Sequence, residues 1–280
     1  MIQPTPMPKE QNILPLAAMA CILAICGWIV GGLFGLVAVL TGVFALILVG
    51  PKVTPELAMK ISHAIPLDPW QAPAPYHDAE QIARLYELQS VPRLYLVKNE
   101  VPVVFSSGNR NESAIAVSNG ALSILSEREL RAVLAHELAH VAADDIGLMR
   151  VANILGRITS LVATFGLLAI LFGGLVLPEG AMSVEIVWFL ALAPTSASLL
   201  QLALSRKREY AADAAAAKVL GDPEALAEAL QKIERATRFT MMRMFGQAGA
   251  IELPTLLRTH PSTEDRIERL RGLQQGGQGA

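Results

Sequence analysis

Charged side chains are missing altogether from three stretches, Ile13 to Gly50, Ile158 to Leu177 and Ile186 to Leu204, while polar and apolar positions alternate in short blocks everywhere else. Each apolar stretch can supply a membrane span of roughly 20 residues. As a single helix the first would reach about 57 Å, against a hydrocarbon core of roughly 30 Å, so it is expected to divide into two spans. The expected break is at Gly31-Gly32, where Gly27, Gly31 and Gly35 have the small-xxx-small spacing that lets helix backbones approach. The stretch also runs too far past Ala18 to Ala20 to read as a cleaved signal peptide.

The polar blocks predict shorter elements. "PLDPWQAPAPYHD" reads as an irregular proline-rich linker and Ala79 to Leu88 as a helix. "RLYLV" and "VPVVF" look extended, and Asn119-Gly120 between two apolar runs is a hairpin signal. Ser126 with Glu129 three positions later forms a capping box, so a helix should start at about Glu127. Asp222-Pro223 should start another that reaches about Ala236. The Met-rich segment from Phe239 to Ala250 reads as a loop or lid, Ser262 begins a final helix, and 273–280 is expected to be disordered.

The expected organisation is a cytoplasmic N-terminus (1–12), two transmembrane helices (13–50), a first polar part (51–157), two more transmembrane helices (158–204) and a second polar part (205–272). The fold class is therefore a mostly α membrane protein, with four transmembrane helices and a cytoplasmic α+β domain with a small β-sheet. Composition agrees, since 52% of the 280 residues are hydrophobic and only 17% charged, too apolar for an ordinary soluble domain of this size. The formal net charge of −2 gives no sign of a nucleic-acid surface. Cys21 and Cys26 are the only cysteines; both lie in the first apolar stretch and offer neither a disulfide framework nor a soluble thiol ligand pair.

Basic residues indicate orientation. Lys9, Lys52, Lys60, Arg150, Arg157, Arg206, Lys207 and Arg208 flank the span ends, whereas Gly31-Gly32 and the connection 178–185 carry no Lys or Arg. The positive-inside tendency puts the polar parts on the cytoplasmic side of a multi-pass membrane protein.

Chemistry enters with "RAVLAHELAHVAADD", residues 131–145. Residues four apart on a helix are offset by about 40° and rise about 6 Å, so His136 and His140 share a face and can bind one ion. Glu137 flanks that face, a position that suits a base acting on water better than a ligand. A catalytic zinc site generally has three protein ligands. His63 and His77 read as surface residues, and a carboxylate is the better candidate. "SRKREYAADAAAAKVL" starts where the last apolar stretch ends and carries Glu209 and Asp213 four apart on a helical pattern. Glu209 could ligate while Asp213 fixes a histidine ring, although such a pair is also an ordinary solvated helix face. Two spans separate His140 from Glu209, which would return the chain to the same side.

The order "HELAH", Asp145, two spans, "SRKREYAAD" and "THPSTEDRIERL" resembles the HtpX-type membrane zinc metallopeptidases, more distantly the CAAX prenyl proteases, over about residues 80 to 270. The resemblance implies a gluzincin-like protease domain and one Zn2+ per subunit held by His136, His140 and Glu209. It implies Glu137 as catalytic base, with Asp213 and Asp145 behind the ligands. It further points to His260 as a donor to the developing oxyanion and to Arg266 as the residue holding His260. Two departures stand out: Ala143-Asp144 where relatives often carry Asn-Arg, and Val103-Val104 before Phe105 where they often carry Asn-Ala. Sites of this type hold substrate extended against an edge strand, for which Val101 to Ser107 is the candidate.

The expected activity is peptide-bond hydrolysis on polypeptide substrates, membrane proteins in particular, at the lipid bilayer and without nucleic acid. The implied role is quality control of membrane proteins. A dedicated processing protease of CAAX type, or a non-catalytic membrane scaffold, are the competing readings; an intact Glu137 argues against the scaffold.

Overall fold

A computed structural model describes residues 9–49, 54–173, 183–245 and 262–277. The described residues form helices α1 (Lys9–Val49), α2 (Pro55–Ile61), α3 (Pro73–Leu85), α4 (Asn119–Ile124), α5 (Glu127–Ala142), α6 (Asp145–Gly173), α7 (Val184–Leu220), α8 (Pro223–Phe245) and α9 (Thr263–Gly277). Strands β1 (Ile65–Pro66), β2 (Arg93–Val97), β3 (Val104–Gly108) and β4 (Ser113–Ser118) complete the fold. They divide into an apolar unit, residues 8–52 and 148–205, and a polar unit built mainly from 53–147 and 206–280.

Among the described residues three helices, each lying mostly in the apolar unit, are long and apolar enough to cross a membrane: Ile13–Ala45, Gly147–Phe172 and Val184–Leu220. The first is broken where the glycines suggested. Gly32 has φ 57° and ψ −141°, a conformation that L side chains rarely adopt. The halves on either side fold against each other, for a Cβ on Gly35 would lie 2.1 Å from the Gly27 carbonyl oxygen. Met19 and Leu23 from the first half, with Val39 and Val43 from the second, pack with Ala152 and Leu155 of α6 and Ala197 and Leu204 of α7. Gln201 donates a hydrogen bond to Asn153, a polar link between helices of the kind that apolar surroundings favour.

The polar unit is built on a four-stranded sheet in the order β1-β2-β4-β3. β1 is antiparallel to β2, β2 parallel to β4, and β3 antiparallel to β4 in the register Phe105↔Ala116 and Ser106↔Ile115. All six residues of β4 are buried, as expected of a strand covered on both faces. Ile115 and Val117 join Leu134 and Leu138 of α5, Ile82 of α3 and Tyr86 just after it, Leu226 of α8 and Leu270 of α9 in one core. Phe105, Ala114 and Ala116 pack on the opposite face, with Met59 of α2.

Three local expectations need revision. The helix α3 begins at Pro73, inside the supposed linker, because prolines in a first turn forgo only amide donors that have no helical partner. Asn119-Gly120 makes no hairpin. Neither residue has positive φ, which the tight two-residue turn requires. Ser118 instead caps α4, its side chain accepting from the Ala121 amide, and the Gly120 amide donates to the Asn99 carbonyl. Finally, α8 continues to Phe245, well into the Met-rich segment, and α9 reaches Gly277; the Met-rich residues from 246 onward lie outside the described residues.

Candidate metal centre

The helix α5 starts as the capping box dictates. The Ser126 side chain accepts from the Glu129 amide, and Glu129 Oε2 accepts from the Ser126 amide at 2.8 Å. Lys232 of α8 donates to the same carboxylate oxygen at 2.8 Å. Packing then fixes the helix on several sides, since Leu130, Ala132, Val133, Leu134, Ala135, Leu138, Ala139, Val141 and Ala142 are all buried. At its far end Arg110 donates from Nη1 to the Ala142 carbonyl at 2.7 Å and from Nη2 to the Tyr86 and Glu87 carbonyls. A cation there satisfies a terminal carbonyl and complements the negative end of the helix dipole. Arg110 gave no sign of this in the sequence, because its three acceptors are backbone carbonyls distant along the chain.

The ring of His136 meets that of His140 edge to face, with centroids 4.8 Å apart. The polar end of α7 brings in the carboxylate. Glu209 Oε2 lies 3.5 Å from His136 Nε2, and Glu209 Oε1 lies 3.8 Å from His140 Nε2. One donor atom from each of the three residues falls within 4.8 Å of the others. These separations are longer than good hydrogen bonds. The two Glu209 separations are near the spacing of about 3.3 Å between donors that share a tetrahedral zinc with bonds of about 2.0–2.1 Å, while the three donor atoms together are spread somewhat wider. Two imidazole nitrogens and a carboxylate, converging from a largely buried pocket wall, therefore fit a zinc-like cation.

One helical turn beyond Glu209, Asp213 Oδ1 is 3.0 Å from His136 Nδ1, which leaves Nε2 facing the cluster. Arg266 of α9 holds Asp213 in a two-pronged contact, Nε to Oδ2 at 2.7 Å and Nη2 to Oδ1 at 2.6 Å, while its Nη1 is 3.1 Å from Glu209 Oε2. His136, Glu209, Asp213 and Arg266 are all more than nine-tenths buried. Burial alone would lift the Asp213 carboxyl, but the Arg266 and His136 hydrogen bonds outweigh it and hold its pKa below the usual range. Burial likewise opposes the His136 cation, yet the Asp213 hydrogen bond and the nearby Glu209 carboxylate push its pKa up to about 10. Two buried carboxylates demand positive charge beside them, which the Arg266 guanidinium supplies and a bound cation would add to.

Glu137 follows His136 in the sequence and is not one of the three clustered residues. Its Oε2 accepts a hydrogen bond of 2.8 Å from Ser106 Oγ of β3, and its backbone carbonyl lies 3.2 Å from the same hydroxyl. Sequence reasoning missed Ser106, since nothing local links it to a residue on another element. Among the other expected site residues, Asp145 opens α6 with its side chain outside the described residues, and His260 also lies outside them. Arg266 was expected beside His260; its described partners are Asp213, Glu209 and, at 3.5 Å, the His136 ring.

Comparison with known proteins agrees with this picture. Residues 76–274 match the profile of peptidase family M48. The chain is 34% identical over 273 residues to a protein named "Protease HtpX homolog" of Methylibium petroleiphilum, covering 92% of this chain and 95% of that one. It is likewise 34% identical to proteins of the same name from Ralstonia pickettii, over 96% and 97% of the two chains, and Campylobacter concisus, over 94% and 95%. The crystal structure of S. mikatae Ste24p is a distant structural neighbour, with a TM-score of 0.46 and 18% identity over 92% of this chain and 63% of that one. With its membrane-length helices and its two-histidine, one-glutamate cluster, the chain belongs to peptidase family M48 as a membrane metalloprotease of the HtpX kind.

Proposed function

We propose that the protein is a zinc-dependent endopeptidase that cleaves polypeptides, membrane proteins among them, at the cytoplasmic face of the inner membrane in membrane protein quality control. The observation that carries the chemistry is the convergence of His136, His140 and Glu209, with Asp213 behind His136. These three residues are the ligands in this reading. A zinc ion held there would supply Lewis acidity for polarising the scissile carbonyl and for making water a better nucleophile at neutral pH.

The chain's own residues do the rest. Glu137 takes the proton of the attacking water on its carboxylate and hands it to the departing amine nitrogen as the C–N bond breaks, which leaves a carboxylate product and an amine. Asp213 fixes the His136 ring, and Arg266 holds Asp213 and Glu209 in place. Substrate adds in extended form along β3, which among the described residues pairs only with β4. His260 donates to the oxyanion, and Asp145 supports the ligands from the start of α6.

Glu137→Gln tests the chemical assignment: zinc measured on the purified protein should remain while casein cleavage disappears, and loss of zinc would reject the role given to Glu137. Four crossings, with α1 turning back at Gly32, put both polar parts in the cytoplasm, as the positive flanks favour. A reporter fused after Gly277 should then read cytoplasmic and one between Glu179 and Ser183 the opposite side. Profiling cleavage across a mixed membrane proteome checks the cellular role, since many substrates fit quality control and a single one fits a dedicated processing protease.

A further inference from the structure

We infer that Ser106 is a positioning residue for the catalytic base: its hydroxyl holds the Glu137 carboxylate in place from the strand along which substrate docks. The inference rests on the role of Glu137 proposed above. Ser106 Oγ has one proton and two acceptors within reach, Glu137 Oε2 at 2.8 Å and the Glu137 carbonyl oxygen at 3.2 Å. The carbonyl of a mid-helix residue already accepts from the amide four positions on, whereas the carboxylate is charged and closer, so the proton goes to Oε2.

The geometry gives this bond a use. Successive strand residues face opposite sides of the sheet, and Phe105 packs with Met59 on the side away from α5, so Ser106 faces α5. Glu137 has several rotatable bonds and lies off the metal-facing side of α5, so without a tether its carboxylate samples positions from which it cannot reach the attacking water. A hydroxyl at this position is also small enough to leave the site open. Asp213 and Arg266 brace the ligand set, and among the described residues the side-chain hydrogen bond to the Glu137 carboxylate comes from Ser106.

Removing the hydroxyl should therefore slow the chemical step without touching metal or substrate binding. In full-length protein in detergent, Ser106→Ala should lower kcat for casein cleavage about tenfold, the scale of a hydrogen bond to a charged group. KM should stay within about twofold, and zinc content and thermal midpoint should match wild type. Ser106→Thr, which keeps the hydroxyl on a strand-compatible side chain, should restore most of kcat. Unchanged kcat in Ser106→Ala overturns the inference, as does a loss that Ser106→Thr fails to restore or one accompanied by equal losses of zinc and thermal midpoint. Glu137→Gln, measured in parallel, separates the two levels: activity in that variant rejects the base itself, while an inactive Glu137→Gln beside a fully active Ser106→Ala rejects only the positioning role.

Discussion

In the apolar unit Phe34, Leu171, Phe172 and Trp188 are each more than half exposed, whereas the polar unit buries Glu129, His136, Glu209, Asp213 and Arg266. Each unit inverts the rule for an ordinary soluble domain, and for different reasons. Exposed bulk in the first faces a solvent as apolar as itself, so association there depends on close backbone approach, as at Gly27 and Gly35, more than on hiding large side chains. Buried charge in the second is stable only because each group has a partner of opposite sign. The apolar unit should therefore be sensitive to volume and the polar unit to charge.

The largest effect that would sharpen this contrast is expected at Glu209. Glu209→Ala removes the carboxylate proposed as third ligand and leaves Arg266 with one partner fewer; bound zinc and casein cleavage should both fall to background. Next comes Asp213→Ala, which spares the ligand atoms but frees the His136 ring, so zinc affinity or activity should drop roughly ten- to a hundredfold. It also leaves Arg266 buried without its two-pronged partner, so the metal-free protein should lose about 3–5 kcal/mol. Zinc titration and thermal unfolding on the same samples check both. Zinc retained in Glu209→Ala but lost in Asp213→Ala would move the third ligand one turn along α7.

The helix carrying the motif was legible because its signals are local: the box from Ser126 to Glu129 and histidines four apart are fixed by helical geometry alone. Glu209 was harder, requiring the count of spans between it and His140. Ser106 and Arg110 were illegible for a physical reason, as each is tied to the site by one long-range hydrogen-bond set with no periodic trace. Errors arose where a local signal had two outcomes. Prolines from Pro73 onward suit both a linker and a first helical turn, and Asn119-Gly120 suits both a hairpin and a capped helix. Tertiary contacts chose the second outcome each time.

A smaller effect, on the other side of the comparison, is expected from Gly35→Val. The added Cβ falls 2.1 Å from the Gly27 carbonyl oxygen, so the halves of α1 must separate, at a cost of about 1–3 kcal/mol. The thermal midpoint in detergent should fall while zinc per folded molecule stays constant, because this change alters volume and no charge. A fall in zinc content at temperatures well below the midpoint would break the division into a volume-sensitive and a charge-sensitive unit.

The smallest effect concerns Glu129, a buried charge in the polar unit remote from catalysis. Burial raises its pKa, but the Lys232 hydrogen bond and those of Ser126 outweigh it, so the folded value lies below the ordinary carboxylate value. A depressed pKa contributes stability that is fully present above the unfolded value and is lost as pH falls through the folded one. Glu129→Ala removes a cap and an ion pair together, which should cost about 1–2 kcal/mol near neutral pH. Glu129→Gln keeps an acceptor for the Ser126 amide and discards the charge, so it should recover part of that loss while remaining indifferent to acid at this position. Thermal midpoints measured from pH 7 down to pH 3 should show wild type and Glu129→Gln converging as the carboxylate is protonated. Parallel curves over that range would mean that Lys232 contributes no charge-dependent stability, and that a buried carboxylate in this unit can be held by capping hydrogen bonds alone.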